Sequence, residues 1–367
     1  MLLNTNTSQC DKYTDLLTVF TAHLSKDLNL ARIRLICLFI TALCKVKSVN
    51  YSKLSAGFDS PSAASSCFRR IQRFMAQVDL PMRLISTLIF NLLQNNSPVI
   101  LVMDRTNWKF GQQNINILML GISYKSVAIP IMFKMLDKRG NSNSQERITL
   151  VQNFIDWFGL DSIDCILADR EFIGEKWLGF LNEHSIRYHI RIRNNFKVFL
   201  PRKQKEITVW HLFNNLNSRE FRHYQHIVEM HGQLCYLSAT KTVIDGKVEF
   251  LILVSFNKPQ QALEYYRRRW NIETLFKFMK SSGFNIEDTH VTDLDRLEKL
   301  FMLTMIACLW CYKVGEYIHI QIRPIKIKKH QRKAVSIMKY GLDYITECLL
   351  SGFNKLNINL LLFLSCT

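Results

Sequence analysis

No stretch of this chain is long and apolar enough to cross a bilayer. The longest apolar runs, residues 35–44 and 300–312, fall well short of the roughly 20 residues a spanning helix needs. Residues 1–13 are polar and lack the basic-then-apolar layout of a secretion signal. Ten cysteines are scattered singly, except for Cys308-Leu-Trp-Cys311, and no second pair stands at ligand spacing. Zinc is therefore not expected, and buried free thiols in a reducing cytosol are. There is no internal repeat and no low-complexity block. Acidic residues are scarce: 30 stand against 48 Lys and Arg, a net charge of +18. A surface so basic attracts polyanions, either nucleic acid or an anionic membrane. Without a span or a signal, nucleic acid is the preferred partner.

At 367 residues, 48% hydrophobic and 21% charged, the chain can bury a substantial core and divide into two or three domains. Residues 1–95 read as helical and basic, with apolar residues at helical spacing over 16–28 and 33–47. Ser60-Pro61 predicts an N-cap with proline at the first helical position. The helix expected over 62–75 carries Arg69, Arg70 and Arg73. Two readings stay open for it: the reader of a helix-turn-helix, or a plain bundle helix with surface arginines. Another amphipathic helix over 80–93 ends at Gln-Asn-Asn-Ser-Pro, 94–98.

From Pro98 the texture changes to strands. Residues 99–104 form a buried-type run ending in Asp104, and 114–123 and 127–135 follow as strands. A helix over 144–158 precedes a short strand, 163–168, with Asp169 at its end. A helix over 173–183, a strand over 186–192 and, after an insert, a strand over 250–255 complete a layered α/β pattern with a mixed sheet. Carboxylates at strand ends suit an open-sheet site. Taken singly, each aspartate reads equally as a turn or helix cap.

Residues 261–281 contain no Pro or Gly, begin after Pro259 and stop before Gly283, and so predict one helix. With Tyr266 at zero and about 100° per residue, Arg269, Glu273 and Lys280 fall near 300°, 340° and 320°. Ile272, Leu275, Phe276 and Met279 make the adjoining apolar stripe. A carboxylate beside an arginine, a lysine and a tyrosine suits phosphodiester chemistry: the acid ligates a hard cation, the bases hold phosphate oxygens. The alternative is a solvated face laced with ion pairs. The insert, 194–249, is charged and strand-like in patches. Between 187 and 205, Arg187, Arg191, Arg193, Lys197, Arg202, Lys203 and Lys205 occur with no acid, a pattern expected against a phosphate backbone. A second basic cluster, Arg323, Lys326, Lys328, Lys329, Arg332 and Lys333 around His330, reads as a linker or tail on DNA.

Three stretches together resemble bacterial insertion-sequence transposases of the DDE cut-and-paste class, in the IS-four family. They are Val-Met-Asp104-Arg-Thr-Asn-Trp, Leu-Ala-Asp169-Arg-Glu-Phe-Ile-Gly and Tyr266-x2-Arg269-x3-Glu273-x6-Lys280, the last followed by Ser-Gly-Phe-Asn-Ile-Glu-Asp-Thr-His (282–290). The resemblance covers about residues 95–315. It implies an RNase H-like mixed-sheet catalytic core (96–193 and 250–318) interrupted by a β-rich insertion (194–249). An all-helical DNA-binding domain (1–95) would precede it and a basic C-terminal tail region (319–367) follow. It implies that Asp104, Asp169 and Glu273 bind two Mg²⁺ ions, for which Mn²⁺ can substitute. One would activate the attacking water or 3′-hydroxyl and the other stabilise the leaving oxygen. Tyr266, Arg269 and Lys280 would hold phosphates, with further DNA contacts from Arg191, Arg193, Lys203, Arg69, Arg70 and Arg73. The implied partners are the element's terminal inverted repeats, target DNA and a second copy in a synaptic homodimer, in a bacterial cytoplasm beside the nucleoid.

The chain departs from relatives that cut the second strand through a DNA hairpin. Those carry a tryptophan before the last core strand to stack on an extruded base. Here 247–250 reads Lys-Val-Glu-Phe, and Phe250 and Trp210, the nearest aromatic substitutes, read as core or insert packing. The C-terminus is short, with an apolar tail at 360–364 suited to packing on the core or on a second subunit. Besides the transposase, two other readings remain. One is a catalytically silent, transposase-derived DNA-binding protein. The other is a tyrosine recombinase using Tyr265 or Tyr266 beside Arg267–Arg269, disfavoured because those basic residues lie on one helix.

Overall fold

The computed structural model describes residues 9–93, 97–244, 247–329, 331–351 and, beyond these, 356, 358, 360 and 363. The polar residues 1–8, most of the breaker run at 94–96, His330 and most of the apolar tail at 360–364 lie outside the described residues. Two compact units are formed: Met1–Asn95 with Trp108–Gln113 and Thr274–Thr367, and Asn96–Asn107 with Asn114–Glu273.

In chain order, five helices come first: α1 (Gln9–Leu24), α2 (Leu30–Val46), α3 (Tyr51–Ala56), α4 (Ala64–Gln77) and α5 (Met82–Leu93). Then come β1 (Val99–Phe110), β2 (Gln113–Tyr124), β3 (Val127–Met135), α6 (Ser144–Phe158), β4 (Ile163–Ala168), α7 (Glu175–Glu183) and β5 (Tyr188–Ile192). The insertion holds β6 (Lys197–Leu200), β7 (Lys205–Thr208), α8 (Trp210–Phe213), β8 (Phe221–His223), β9 (Val228–Met230) and β10 (Gln233–Ile244). After it come β11 (Lys247–Ser255), α9 (Ala262–Arg267), α10 (Asn271–Lys277), α11 (Leu294–Tyr317) and α12 (Ile337–Ser351).

In the helical unit, α2 is buried almost continuously from Ile33 to Cys44. Asn29 and Asn50 cap α2 and α3 through their side-chain oxygens. The cap expected at Ser60-Pro61 is not used. The Ser60 hydroxyl accepts the Ser62 N–H at 3.3 Å, a local turn that delays α4 to Ala64 and leaves Ala63 as an N-cap without a side-chain bond. Late in the chain, α11 and α12 cross on Gly315 and Gly341. A Cβ on Gly315 would stand 2.1 Å from the Ile337 carbonyl oxygen, and one on Gly341 1.9 Å from that of Cys311. Only glycine permits so close an approach of two backbones.

The other unit is a mixed sheet in the order β3-β2-β1-β4-β5-β11-β10-β9-β6-β7, with β8 paired to β10. β1, β4 and β5 run parallel, while β2 with β3, β5 with β11 and β11 with β10 are antiparallel. The first five strands in the order 3-2-1-4-5 form an RNase H-like core. Its parallel strands are buried runs, as residues covered on both faces must be. The β-rich insertion adds strands to the same sheet, joined through β11. The expected α/β class, with a helical region ahead of it, is what the chain forms.

The stretch expected as one helix over 261–281 is helical but not regular. α9 gives way to a 3₁₀ turn at Arg268–Trp270, then α10, then a π segment at Phe278–Ser282. Such departures from the α pitch collect at functional sites. They also shift the buried stripe, so that Ile272, Leu275, Phe278 and Met279 are core while Phe276 is half-buried.

Candidate active site

The parallel pairing of β1 with β4 ends at Met103↔Ala168. The next residues on the two strands are Asp104 and Asp169, so neighbouring strands deliver two carboxylates side by side. Each folds onto the following amide: Arg105 N–H donates to Asp104 Oδ1 and Arg170 N–H to Asp169 Oδ1, both at 2.7 Å. Asp169 follows the last residue of β4, as the sequence suggested. Asp104 does not end its strand; β1 runs on to Phe110 in a hairpin with β2, so the acid stands mid-strand.

A shell of paired polar groups fixes the backbone around the two aspartates. Arg105 reaches Glu171 with both Nε and Nη2, at 3.2 and 3.3 Å, and also donates to Asn116 and Asn141. The forked geometry is the one that guanidinium and carboxylate favour. Buried Arg147, from α6, donates to Ser142 Oγ and the Glu171 carbonyl, both at 2.9 Å, and to the Ile173 carbonyl at 3.4 Å. Its guanidinium also lies over the Phe172 ring at 5.0 Å. Arg147 thus clamps the loop after Asp169.

The 266–273 turns lie against the aspartates. Tyr266 donates its hydroxyl to Asp169 Oδ1 at 3.4 Å. Arg269 donates Nη1 to Asp104 Oδ2 at 3.3 Å and pairs through Nη2 with Glu273. Tyr266 and Arg269 are only 1% and 6% exposed, not on a solvated face as a straight helix would place them. The Glu273 side chain is half exposed. Burial pushes the Asp104 carboxyl up to about 6, with Glu171 and Asp169 adding to the rise and the Arg105 amide and Arg269 opposing it. Burial, then the Asp169 charge, raises the Tyr266 phenol, which stays a proton donor. Burial works against the Arg269 charge, but Tyr266, Glu273, Asp104 and Asp169 outweigh it and hold its pKa above the ordinary value.

A cleft of about 610 Å³ opens over the two aspartates, lined by Asp104, Asp169, Glu171, Arg193, Phe196 and His231 among others. Among the described residues no three acidic, histidine or cysteine side chains gather closely enough to hold an ion together. The guanidinium of Arg269 stands between Asp104 and Glu273. In kind, the adjacent oxygen donors of Asp104 and Asp169 still fit a hard divalent ion such as Mg²⁺, which takes one or two carboxylates and leaves other positions to phosphate and water.

The other candidates are dispersed. Arg191, on β5, is half-buried and close enough to Tyr266 to act on its phenol, and Arg193 is exposed in the cleft. Lys203 is exposed in the 3₁₀ turn Pro201–Lys203, beside the β7 edge of the sheet and not brought to the acids. Arg69 and Arg73 are exposed and Arg70 half-buried on α4. Lys280 pairs with Glu287 at 2.8 Å and lies 5.7 Å from the Trp108 ring centre; it and the three α4 arginines belong to the helical unit. Sequence reasoning passed over Arg105, Asn116, Asn141, Arg147 and Glu171. For Arg105 and Glu171 the signal was present, since each stands within two residues of an aspartate in its motif. It also passed over Trp270, 47% exposed with the Arg269 guanidinium 5.1 Å over its ring. Trp210, expected as packing, is 40% exposed, and Phe250 is half-buried with the Lys241 ammonium 5.8 Å over its ring.

No curated protein matches the chain in sequence. Among solved structures, it is similar to a piggyBac transposase synaptic complex with hairpin DNA, at 16% identity and a TM-score of 0.45. The match covers 94% of this chain and 78% of that one. A family model described as the transposase DDE domain matches residues 96–310.

Proposed function

The chain belongs to the transposase DDE domain family, and we propose that it is a metal-dependent transposase of the IS-four insertion-sequence kind. In this reading it binds terminal inverted repeats, cleaves at the element ends by hydrolysis and transfers the 3′-hydroxyl ends to target DNA. The observation that carries the proposal is the juxtaposition of Asp104 and Asp169, each next after the last β1–β4 pair, with Tyr266 and Arg269 bonded to them. Asp104 and Asp169 would hold Mg²⁺, which when bound polarises phosphoryl oxygens and lowers the pKa of a bound water; Glu273, the third ligand that the resemblance implies, is engaged by Arg269. Arg269 orients Asp104 and Glu273. Tyr266 fixes Asp169. Arg193, exposed in the cleft, supplies a cation for a phosphate. Arg191, Lys203 and Lys280 serve as further phosphate contacts, and α4 reads the repeats through Arg69, Arg70 and Arg73. Two copies would bridge the two ends in a bacterial cytoplasm. No helix among the described residues is long and apolar enough to cross a membrane.

The test is cleavage of end-labelled terminal-repeat DNA in Mg²⁺, in Mn²⁺ and in chelator, by wild type and by Glu273→Gln. Wild type should cut only with metal, and the variant should bind the repeats without cutting. A wild-type chain that shifts the DNA in metal and never cuts it is the catalytically silent binder instead.

A further inference from the structure

After α11, residues 326–328 and 332–334 of the basic cluster form a small antiparallel ribbon. Ile327 and Lys333 pair across it. Lys328 N–H donates to the Arg332 carbonyl and Ala334 N–H to the Lys326 carbonyl, both at 2.8 Å. Gln331, at φ 61°, closes the turn by donating its N–H to the Lys328 carbonyl at 2.9 Å. Side chains alternate across such a ribbon, and residues paired across it share a face. Lys326, Lys328 and Arg332 therefore stand on one face, and Ile327 and Lys333 on the other. All three cations of the first face are exposed, and none forms an ion pair among the described residues. The sequence holds no Asp or Glu between Glu316 and Asp343.

Lys328 and Arg332 sit opposite each other, and like charges directly across a ribbon destabilise it. A hairpin built for stability would place an acid at one of those positions. A polyanion laid along the face removes the repulsion. Among polyanions, duplex DNA matches best: its major groove admits a two-stranded ribbon, and its phosphates meet cations without sequence choice. A membrane-surface element would instead set apolar side chains among its cations to enter the lipid. Here the exposed Ile327, 56% accessible, points from the opposite face.

We infer that the 326–334 ribbon is a sequence-independent contact for duplex DNA, gripping phosphates through Lys326, Lys328 and Arg332. The inference rests on the reading of DNA as the substrate, and adds a phosphate contact to those proposed above.

The experiment measures binding of the full chain to a fluorescein-labelled duplex of random sequence, across a salt series, in chelator. The triple variant Lys326→Gln, Lys328→Gln, Arg332→Gln should reduce the slope of log affinity against log salt by about 2.7, at about 0.9 per lost phosphate contact. Its thermal midpoint should match or exceed that of wild type, since the repulsion is gone. Replacing both lysines by arginine should keep the wild-type slope. An unchanged slope in the triple variant overturns the inference, as does a wild-type chain that ignores random duplex. So does a triple variant that keeps its grip on DNA while losing binding to vesicles of anionic phospholipid. These measurements need neither cleavage nor repeat sequence, so failure of the transposase reading, seen as uncut repeat DNA in metal, remains separately visible.

Discussion

Arg269 donates Nη1 to Asp104 Oδ2 at 3.3 Å and, with its other terminal nitrogen, pairs with Glu273 one helical turn further on. One guanidinium thus joins two acids that stand far apart in the chain. The Arg269 side chain is 7% exposed and that of Asp104 18%, so the contact is nearly desolvated. Removing one member of such a pair leaves the other charge buried and alone. Arg269→Ala should cost about 3 kcal/mol by urea unfolding. Arg269→Lys, which cannot fork between two carboxylates, should recover only part of that.

Asp104 makes stability depend on pH. Its carboxyl sits near 6 in the folded chain against an ordinary 3.8. A raised folded value means that the folded state holds the proton more tightly. Stability is then fully present below about pH 4 and is lost as pH rises through 6. Two units correspond to roughly 2–3 kcal/mol. In chelator, Asp104→Asn should flatten that window and melt higher than wild type at pH 7, because Arg269 keeps Glu273 as its ion partner, while failing to cleave. A variant that melts lower than wild type throughout would show that burial does not dominate at this carboxyl.

Tyr266 separates hydrolysis from covalent catalysis. Its hydroxyl is a hydrogen-bond donor at 3.4 Å from Asp169, and burial keeps it protonated. A nucleophile needs the opposite. Tyr266→Phe should lose less than about 1 kcal/mol, the net worth of one long hydrogen bond. It should still cleave, slowed by a few-fold, and no protein–DNA adduct should survive denaturing electrophoresis of wild-type reactions.

Arg147 has no counterpart in the motifs, yet it holds the loop that follows Asp169. Arg147→Met keeps much of the bulk and removes every donor, leaving the Glu171 and Ile173 carbonyls without this partner. The expected loss is about 3 kcal/mol. Cleavage should fall in parallel, while repeat binding through the helical region persists in a gel-shift assay.

The crossing of α11 and α12 gives a prediction without chemistry. Gly341→Ala places a methyl group inside the closest approach of two backbones, where no flexible side chain can give way. Overpacking of this kind costs about 3 kcal/mol or more, and thermal unfolding should register it as a large drop in midpoint. An alanine at Gly140, where nothing lies within 4 Å but φ is +88°, should cost less.

The parts of this fold that were legible in sequence follow from local pattern. Buried strand runs ending near Asp104 and Asp169, the strand before 261 and the helical periodicity of the N-terminal residues all depend on spacing alone. What was not legible depends on pairing. Asp104 looked terminal because the apolar run stops there, but β1 continues through polar residues that β2 pairs as the partner in a hairpin. The signature stretch looked like a plain helix because a wheel assumes constant pitch. Burial of Tyr266 and Arg269 against the aspartates comes with a tightened turn that no wheel contains. Ser60-Pro61 looked like a cap because its residue types are right, while the hydroxyl had a nearer amide to bond.

β11 belongs to two things at once: it closes the five-strand core against β5, and along its other edge it pairs with β10 from Tyr236↔Ser255 to Ile244↔Lys247. Excising residues 194–249 would strip that edge and leave a long row of unanswered amides and carbonyls on the strand that feeds the Tyr266 turn. Exposed edges of this length recruit other chains. A trimmed enzyme would therefore tend toward aggregates rather than a smaller soluble core, and any attempt at miniaturisation must begin by supplying β11 with a new neighbour.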